Sequence, residues 1–440
     1  MSLYNALSIP MKKQVQLLLD VINKLTSSAV IQNSNAFFDE LPVYFYSGLV
    51  HFSNKNKFVK EGYHIFDKDI VAGGSSVNSR MMGILKCAAE LIERFSLFAF
   101  HPKNIHFGTR DEFLGNGENI DPLEFNPKVK NQLIGWVKGT KLNNNKEVFV
   151  PAQMVYLNYY NWAHKRHKER KFIQQVSNGG CFGFTKESAI LRGIYELIER
   201  DAILTKYLAN LPLYSIDISS VQNDRVSALN NTIKQYNFNN ILIDTTGDLG
   251  IPTYISAAID QSSIVPQVTF GAKASLHEIS AIMGALEESH MGRTWVRYEL
   301  LNRNGEIPKV DPNNIRTRLE RAFYYADKKH SKSFFKSLHK KRFIPKKLTN
   351  NKDLDSDKKE LSLLIELLTK KNIRIIAVDI KPSFLNEYPI YIYKVIMPDL
   401  QFLYLEEKNK NINMKRIESV CRFYGHAPPS KLQNIPHFLL

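Results

Sequence analysis

Apolar positions along the chain switch between helical spacing and denser, strand-like runs. After Pro10, residues 11–26 place Val15, Leu18, Leu19, Val21, Ile22 and Leu25 on one face, which predicts a helix. Residues 42–50 (PVYFYSGLV) read as a strand, and 147–157 (EVFVPAQMVYL) as extended chain. Two glycine pairs, Gly73–Gly74 and Gly179–Gly180, are read as breaks before long helices that run to about Phe100 and from Lys186 to Leu208. Strands are expected at 240–246, 252–260 and 266–272, followed by a third long helix over 276–301. Beyond a polar, hinge-like segment at 302–314, the pattern predicts helices at 316–329 and 357–371, strands at 373–380 and 390–397, and a last helix at 412–424. Strands alternating with helices in this way indicate a layered α/β protein. No Gly/Ser linker divides it. Residues 1–64 read as an N-terminal helix and strand region and 65–440 as the main domain.

Within this pattern one segment occurs twice. GGSSVNSRMMGILKCAAELIER begins at Gly73 and GGCFGFTKESAILRGIYELIER at Gly179, with a constant offset of 106 residues and no gap. A fainter third copy begins at Gly271 and again has a glutamate, Glu287, 16 residues after its glycine. The repeated unit is a glycine break, a loop and a helix ending in carboxylates and arginine. Glu90, Glu93 and Arg94 share one helix face, as do Glu196, Glu199 and Arg200, opposite an apolar side. Alone, each Glu–Arg pair is an ordinary exposed salt bridge worth about 0.3–0.5 kcal/mol. Two copies facing each other bring four carboxylates together, and carboxylates ~4 Å apart repel by roughly 4 kcal/mol at an effective dielectric of 20. Such a cluster calls for divalent cations or arginines. Mg2+ is held by a few carboxylates together with substrate phosphate, and Arg94, Arg200 and the third-copy Arg293 are suited to bidentate phosphate contacts. The chain has no GxxxxGK[ST] segment, which excludes a P-loop.

Composition narrows the function classes. Hydrophobic residues at 44% and aromatics at 11% supply a core, which excludes a wholly disordered chain. The 59 Lys+Arg against 43 Asp+Glu give a net charge of +16, a field that attracts anions. Part of the excess lies in the runs 164–171 (HKRHKERK) and 336–347 (KSLHKKRFIPKK), read first as solvated faces. No nucleic-acid-binding motif accompanies them, so no nucleic-acid partner is expected. Cys87, Cys181 and Cys421 have no metal-ligand spacing and suggest a reducing compartment. The N-terminal segment lacks the order of a signal peptide, and no apolar run reaches membrane-spanning length. The expectation is a cytoplasmic protein without a membrane partner.

The residues that carry these features resemble the YcaO family. The resemblance rests on VPAQMVYLNYY at 150–160, VSNGGCFGFTKESAILRGIYELIERDAI at 176–203, the first GGSS…ELIER segment, the third GAKASLHEISAIMGALEESHMGR and VIMPDLQFLYLEE at 395–407. It covers about residues 65–440. It implies a YcaO-type α/β fold, with strand–helix units repeated around a central ATP/Mg2+ site. The implied activity is ATP-dependent phosphorylation of a peptide backbone amide. A neighbouring Cys, Ser or Thr then attacks, giving thiazoline or oxazoline; in other members an external sulfide gives a thioamide. Carried over, Glu90, Glu93, Glu196 and Glu199 bind Mg2+, Arg94, Arg200 and Arg293 contact phosphates, and Ser75, Ser76 and Asn178 contact nucleotide. Glu199, Arg200 and Arg293 are the expected catalytic set. A precursor peptide and a separate leader-peptide-binding partner, E1-like or similar, are implied, with homodimerisation left open. Three features depart from the family's pattern: Lys86 stands where Ser is usual, Ser188 where a carboxylate is usual, and the tail NIPHFLL replaces a PxPxP ending. The last departure gives weight to thioamide formation or another backbone chemistry beside ring formation; a catalytically degenerate scaffold subunit is the alternative outside catalysis.

Overall fold

The computed structural model describes residues 10–439 except 27–28, 34–36, 53–56, 66–67, 78, 116–118, 127–128, 130–131, 263, 328 and 332–353. The basic run 336–347 lies outside the described residues. In chain order the helices are α1 Met11–Leu25, α2 Lys57–Lys60, α3 Arg80–Phe98, α4 Arg110–Leu114, α5 Tyr159–His167, α6 Lys186–Leu208, α7 Asp224–Gln235, α8 Glu278–Leu301, α9 Arg318–Ala326, α10 Asp357–Lys370 and α11 Met414–Phe423. The strands are β1 Ala29–Asn33, β2 Tyr44–Phe52, β3 Lys68–Ser76, β4 His106–Thr109, β5 Leu133–Lys141, β6 Lys146–Pro151, β7 Gly180–Gly183, β8 Tyr214–Ile216, β9 Phe238–Asp244, β10 Thr253–Asp260, β11 Val268–Ala274, β12 Ile376–Asp379 and β13 Tyr391–Ile396.

The strands form three sheets, ordered β1-β2-β3, β4-β5-β12-β13-β7 with β6 on β5, and β11-β10-β9-β8. Every strand pair among the described residues is antiparallel. Each sheet ends on the strand that immediately precedes a long helix: β3 before α3, β7 before α6 and β11 before α8. Local chemistry starts these helices. The Ser79 side chain caps α3 by accepting the Met82 N–H at 3.3 Å. Thr185 and Ser188 form a reciprocal capping box on α6, so Ser188 fills the N3 position that a carboxylate commonly takes.

The N-terminal region belongs to the same core as α3. Val15, Leu18, Val21, Ile22 and Leu25 of α1 are buried with Leu91, Ile92 and Phe95. No helix among the described residues is long and apolar enough to cross a membrane. All three cysteines are free and buried.

Several expectations need correction. Gly73 and Gly74 do not break the chain; they lie inside β3. Gly74 is required by close approach, since a Cβ there would sit 2.3 Å from the Cys87 nitrogen and the Gly83 oxygen of α3. Gly179, by contrast, is a true turn residue at φ +79. The extended reading of 147–157 stops at Pro151, after which Ala152–Met154 turn into a short 3-10 helix. Strand β5 escaped the pattern because Gly135 and Gly139 interrupt its apolar alternation; a Cβ at Gly135 would lie 2.0 Å from the Tyr159 hydroxyl. The run 164–171 is not a plain solvated face, because Glu169 within it is fully buried and accepts from Gly135 N (3.1 Å), Tyr159 Oη (3.0 Å) and Gln153 Nε2 (2.6 Å).

The contact at Gly74 gives a direct test. Gly74→Ala forces α3 off β3 and is expected to cost about 1–3 kcal/mol, the usual range for overpacking, read as a lower urea midpoint. An unchanged midpoint would show that the strand and helix are not locked together there.

Candidate active site

Among the described residues the outer edges of β3, β7 and β11 have no further strand to pair with, and unpaired edge groups are costly when shielded from water. Each is met by charged side chains of the helix that follows. Along α3, Lys86, Glu90 and Arg94 form one row, spaced i, i+4, i+8. Lys86 Nζ donates to Ser75 O (2.8 Å), Gly73 N donates to Glu90 Oε2 (3.0 Å), and Arg94 Nη1 donates to Val71 O (2.9 Å). The row thus reads the outward-facing groups of β3 at alternate residues. On α6 the same position, Glu196, accepts the Gly179 N–H at 3.1 Å. On α8, Glu288 accepts the Ala272 N–H at 3.1 Å, and Glu199 of α6 accepts from Ala274 two residues along the same edge.

The carboxylates run on from one another across the three units. Glu93 fits beside β7 because Gly180 has no side chain; a Cβ there would lie 3.0 Å from Glu93 Oε1. Burial pushes the Glu93 carboxyl up to about 8, reinforced by Glu196 and Glu90 and opposed by Arg94 and Lys394. Burial also raises Glu196, against Arg200 and the Gly179 N–H. Glu199, 3% exposed, is raised by burial and by Glu288, against Arg200 and Lys273. Burial disfavours the charge on Arg200, yet Glu199, Glu288 and Glu196 together hold its guanidinium above the ordinary range. Arg94 pairs with Glu90 at 2.5 Å and Arg200 with Glu199 at 3.3 Å. Lys394 of β13 is buried under the cluster, donating to Val176 O (2.8 Å) and Asn178 O (2.5 Å), and burial brings it down to about 8.

The structure therefore brings together Glu90, Glu93, Glu196, Glu199, Arg94 and Arg200. Ser75 and Ser76 are buried at the end of β3, where Ser75 O meets Lys86. Asn178 is buried, and its Nδ2 has no hydrogen-bond partner; the Nε atoms of Arg94 and Arg200 are likewise buried and unpartnered. Arg293 is not in this group. Its guanidinium is 1% exposed and fully engaged elsewhere: Nε on Glu40 (2.8 Å), Nη2 on Asp260 (2.5 Å) and Nη1 on Pro266 O. It has no free donor for a phosphate, so its expected catalytic and cofactor roles are withdrawn. The third-copy carboxylate that caps an edge is Glu288, not Glu287, which reaches Lys86 at 3.4 Å instead.

Sequence reasoning missed Lys394 and Arg318. Lys394 left a signal, a lone lysine inside the apolar run IYIYKVIM. Arg318 left none, because only the tertiary arrangement takes it to Glu90, Arg94, Glu196 and Arg200.

The donor set fits a nucleotide with Mg2+. Clustered carboxylates supply hard oxygen ligands, and the unpartnered Asn178 and arginine N–H groups supply donors for phosphate or sugar oxygens. Among the described residues no three carboxylate, imidazole or thiol groups are already gathered into a metal shell. The carboxylates are instead turned toward arginines and backbone N–H groups. A cavity of about 380 Å³ between the 303–314 segment and α9 contains none of them.

Raised carboxyls set a pH dependence. Because the folded chain holds the Glu93 proton up to about 8 against an ordinary 4.5, it binds more protons than the unfolded chain across that window. Stability without metal is therefore expected to fall as pH rises through it. Glu93→Gln should flatten the curve of unfolding midpoint against pH; parallel curves for the two proteins would contradict the assignment.

Comparison with known proteins places this geometry. The family model described as YcaO cyclodehydratase, ATP- and Mg2+-binding, matches residues 83–401. An uncharacterised protein of Methanothermobacter thermautotrophicus is 28% identical over 181 residues, which span 40% of this chain and only 46% of that protein. A heterocyclase solved in complex with substrate and cofactor superposes with a TM-score of 0.72 at 17% identity, covering 99% of this chain and 58% of that one. YcaO from Methanopyrus kandleri, bound with AMPPCP and Mg2+, gives 0.66 at 15% identity, covering 92% and 94%. Both structures share the fold. With the family model matching well over half of its length, and with the repeated Glu–Arg helices at its centre, the chain belongs to the YcaO family of ATP- and Mg2+-binding proteins.

Proposed function

We propose that the chain is an ATP-dependent enzyme that phosphorylates the oxygen of backbone amides in a ribosomally made precursor peptide. The observation that carries this reading is the run of half-buried carboxylates from Glu90 to Glu288 around the buried Glu199, interleaved with Arg94 and Arg200. Glu90, Glu93, Glu196 and Glu199 would hold Mg2+, which when bound neutralises phosphate charge. Arg94 and Arg200 contact the phosphates, and Asn178, Ser75 and Ser76 the nucleotide. Phosphoryl transfer asks little covalent work of the protein; positioning and charge stabilisation supply most of the rate.

In the favoured reaction the amide oxygen takes the terminal phosphoryl group of ATP and becomes a leaving group. A neighbouring Cys, Ser or Thr side chain attacks the amide carbon. Phosphate departs with the former amide oxygen, giving a thiazoline or oxazoline with net loss of water from the peptide.

The segment Pro436–Leu439 favours a second reading, because it is packed into the core, with His437, Phe438 and Leu439 buried, and does not carry the Pro-rich pattern of ring-forming members. An external sulfide would then replace the side-chain nucleophile and give a thioamide, with a sulfur-supplying partner. A scaffold role is disfavoured because the Glu and Arg set of the first two units is complete. A separate leader-peptide-binding protein and a cytoplasmic setting belong to the same proposal.

Calorimetric titration of ATP with Mg2+ is expected to show binding by the wild type and its loss in Glu199→Gln; equal binding would remove Glu199 from the site. Mass spectrometry of a co-expressed precursor separates the chemistries: a loss of about 18 Da marks cyclodehydration and a gain of about 16 Da oxygen-to-sulfur exchange. An unmodified precursor with every partner supplied would favour the scaffold reading.

A further inference from the structure

The polar segment between α8 and α9 leaves both its backbone and its cations without partners. Helix α8 ends in a turn through Asn304 (φ +54) and Gly305 (φ +79). Gly305 N–H on Leu300 O at 2.9 Å and Glu306 N–H on Arg303 O at 3.0 Å close that turn. At the other end Asp311 Oδ1 accepts the Asn313 N–H at 3.0 Å and starts a short 3-10 helix, Pro312–Asn314. Between these fixed points residues 306–311 are neither helix nor strand. The N–H groups of Ile307, Lys309, Val310 and Asp311 and the carbonyls of 307–310 make no hydrogen bond among the described residues. Main chain that is pinned at both ends and unpaired between them is a ready partner for another extended chain.

The segment borders the cavity of about 380 Å³ beside α9, within the ~300–1,000 Å³ usual for ligand pockets. Its floor is apolar: Phe323 is buried, with Val310 and Leu319 only partly covered against the same cluster. Two of the charged groups on its walls are committed to backbone. Asp311 caps the 3-10 helix, and Glu320 Oε2 accepts the N–H groups of Arg316 (2.8 Å) and Thr317 (2.9 Å). Arg303 and Lys309 are exposed and have no ion-pair partner among the described residues. The Arg303 guanidinium lies over the Phe323 ring, 5.3 Å from its centroid.

Helix α9 joins this cleft to the nucleotide site. Leu319, Glu320 and Phe323 face the cavity. Tyr325 packs edge-on against Phe270 of β11 with ring centroids 5.5 Å apart, and β11 is the strand whose edge Glu288 caps. Arg321 Nη1 donates to His437 O (2.7 Å) and the Tyr325 hydroxyl to Pro436 O, which fixes α9 from its other side.

We propose that this cleft holds an extended stretch of the precursor peptide beside the site that modifies it. The peptide backbone pairs with residues 307–311, and a carboxylate and a large apolar side chain two positions apart enter the cleft together. Residues two apart on an extended chain face the same way. Main-chain pairing supplies affinity and the alternate side chains supply selectivity. The two unpaired cations select an acidic peptide over a basic one, and the unpaired backbone selects an extended chain over a folded partner. The peptide identity rests on the proposed function above; the cleft itself does not depend on the nucleotide.

The test is fluorescence anisotropy of a labelled synthetic hexapeptide with glutamate and phenylalanine two residues apart, titrated with the wild type and with the double variant Arg303→Gln, Lys309→Gln. The wild type should bind saturably. The double variant should bind about tenfold more weakly, the factor for about 1.4 kcal/mol, as should the wild type with a glutamine-for-glutamate peptide or an N-methylated backbone. Both proteins should bind a non-hydrolysable ATP analogue with Mg2+ equally, because neither side chain belongs to the carboxylate run. No saturable peptide binding by the wild type, or equal binding by the double variant, overturns the inference. So does a wild-type dimer that the double variant dissolves, since a second copy would then cover the cleft. A wild type that binds the peptide but no analogue overturns the nucleotide-site reading and leaves the cleft standing.

Discussion

The unpaired edges of β3, β7 and β11 set the terms for the rest of the structure. Each edge ends a sheet, and its N–H and C=O groups need partners that no further strand among the described residues supplies. The following helix provides them from charged side chains, at Lys86, Glu90 and Arg94 on α3, Glu196 on α6 and Glu288 on α8. A hydrogen bond to a charged group contributes about 1.5–3 kcal/mol net, more than a neutral one. Ionic caps can therefore hold an edge that is shielded from solvent.

The same arrangement generates the site. A carboxylate that caps an edge uses one lone pair and keeps the rest, and three such edges converge. Glu93 and Glu199 add carboxylates that face like charges rather than solvent, and burial raises both. Arg94, Arg200 and Lys394 offset that repulsion in part. The remaining tension favours a bound cation together with an anion, which is the composition of a metal-bound nucleotide. On the proposed reading, structural caps and ligand-binding groups are the same residues, so the fold and the site would not separate by mutation as cleanly as in a loop-borne site.

How legible this was in the sequence follows from where each contact comes from. The long helices and the first two Glu–Arg units were readable, because i,i+3 and i,i+4 spacing and a constant offset are local facts. The third unit was readable only in outline. Gly271 abuts Ala285 and Ser289 on α8, whereas Gly74 abuts the earlier positions Gly83 and Cys87 on α3, so the two glycines are not equivalent and counting from Gly271 misses the capping carboxylate, Glu288, by one residue. Arg293 looked equivalent to Arg94 but faces Glu40 and Asp260, groups 253 and 33 residues away. The contacts that hold the segment at Pro436–His437 against Arg321, Tyr325 and Tyr207 join distant parts of the chain, which no spacing rule reports. Glycines misled in a similar way: Gly73–Gly74 suggested a turn but permits a strand to lie against a helix.

The central claim is that the converging carboxylates bind a metal–nucleotide pair. Electron paramagnetic resonance of Mn2+ titrated into the chain with ATP tests it most directly, comparing the wild type with Glu196→Gln. The account predicts saturable loss of the free Mn2+–ATP signal in the wild type and little or none in the variant. A wild type that leaves the Mn2+–ATP signal unchanged at every protein concentration would contradict it.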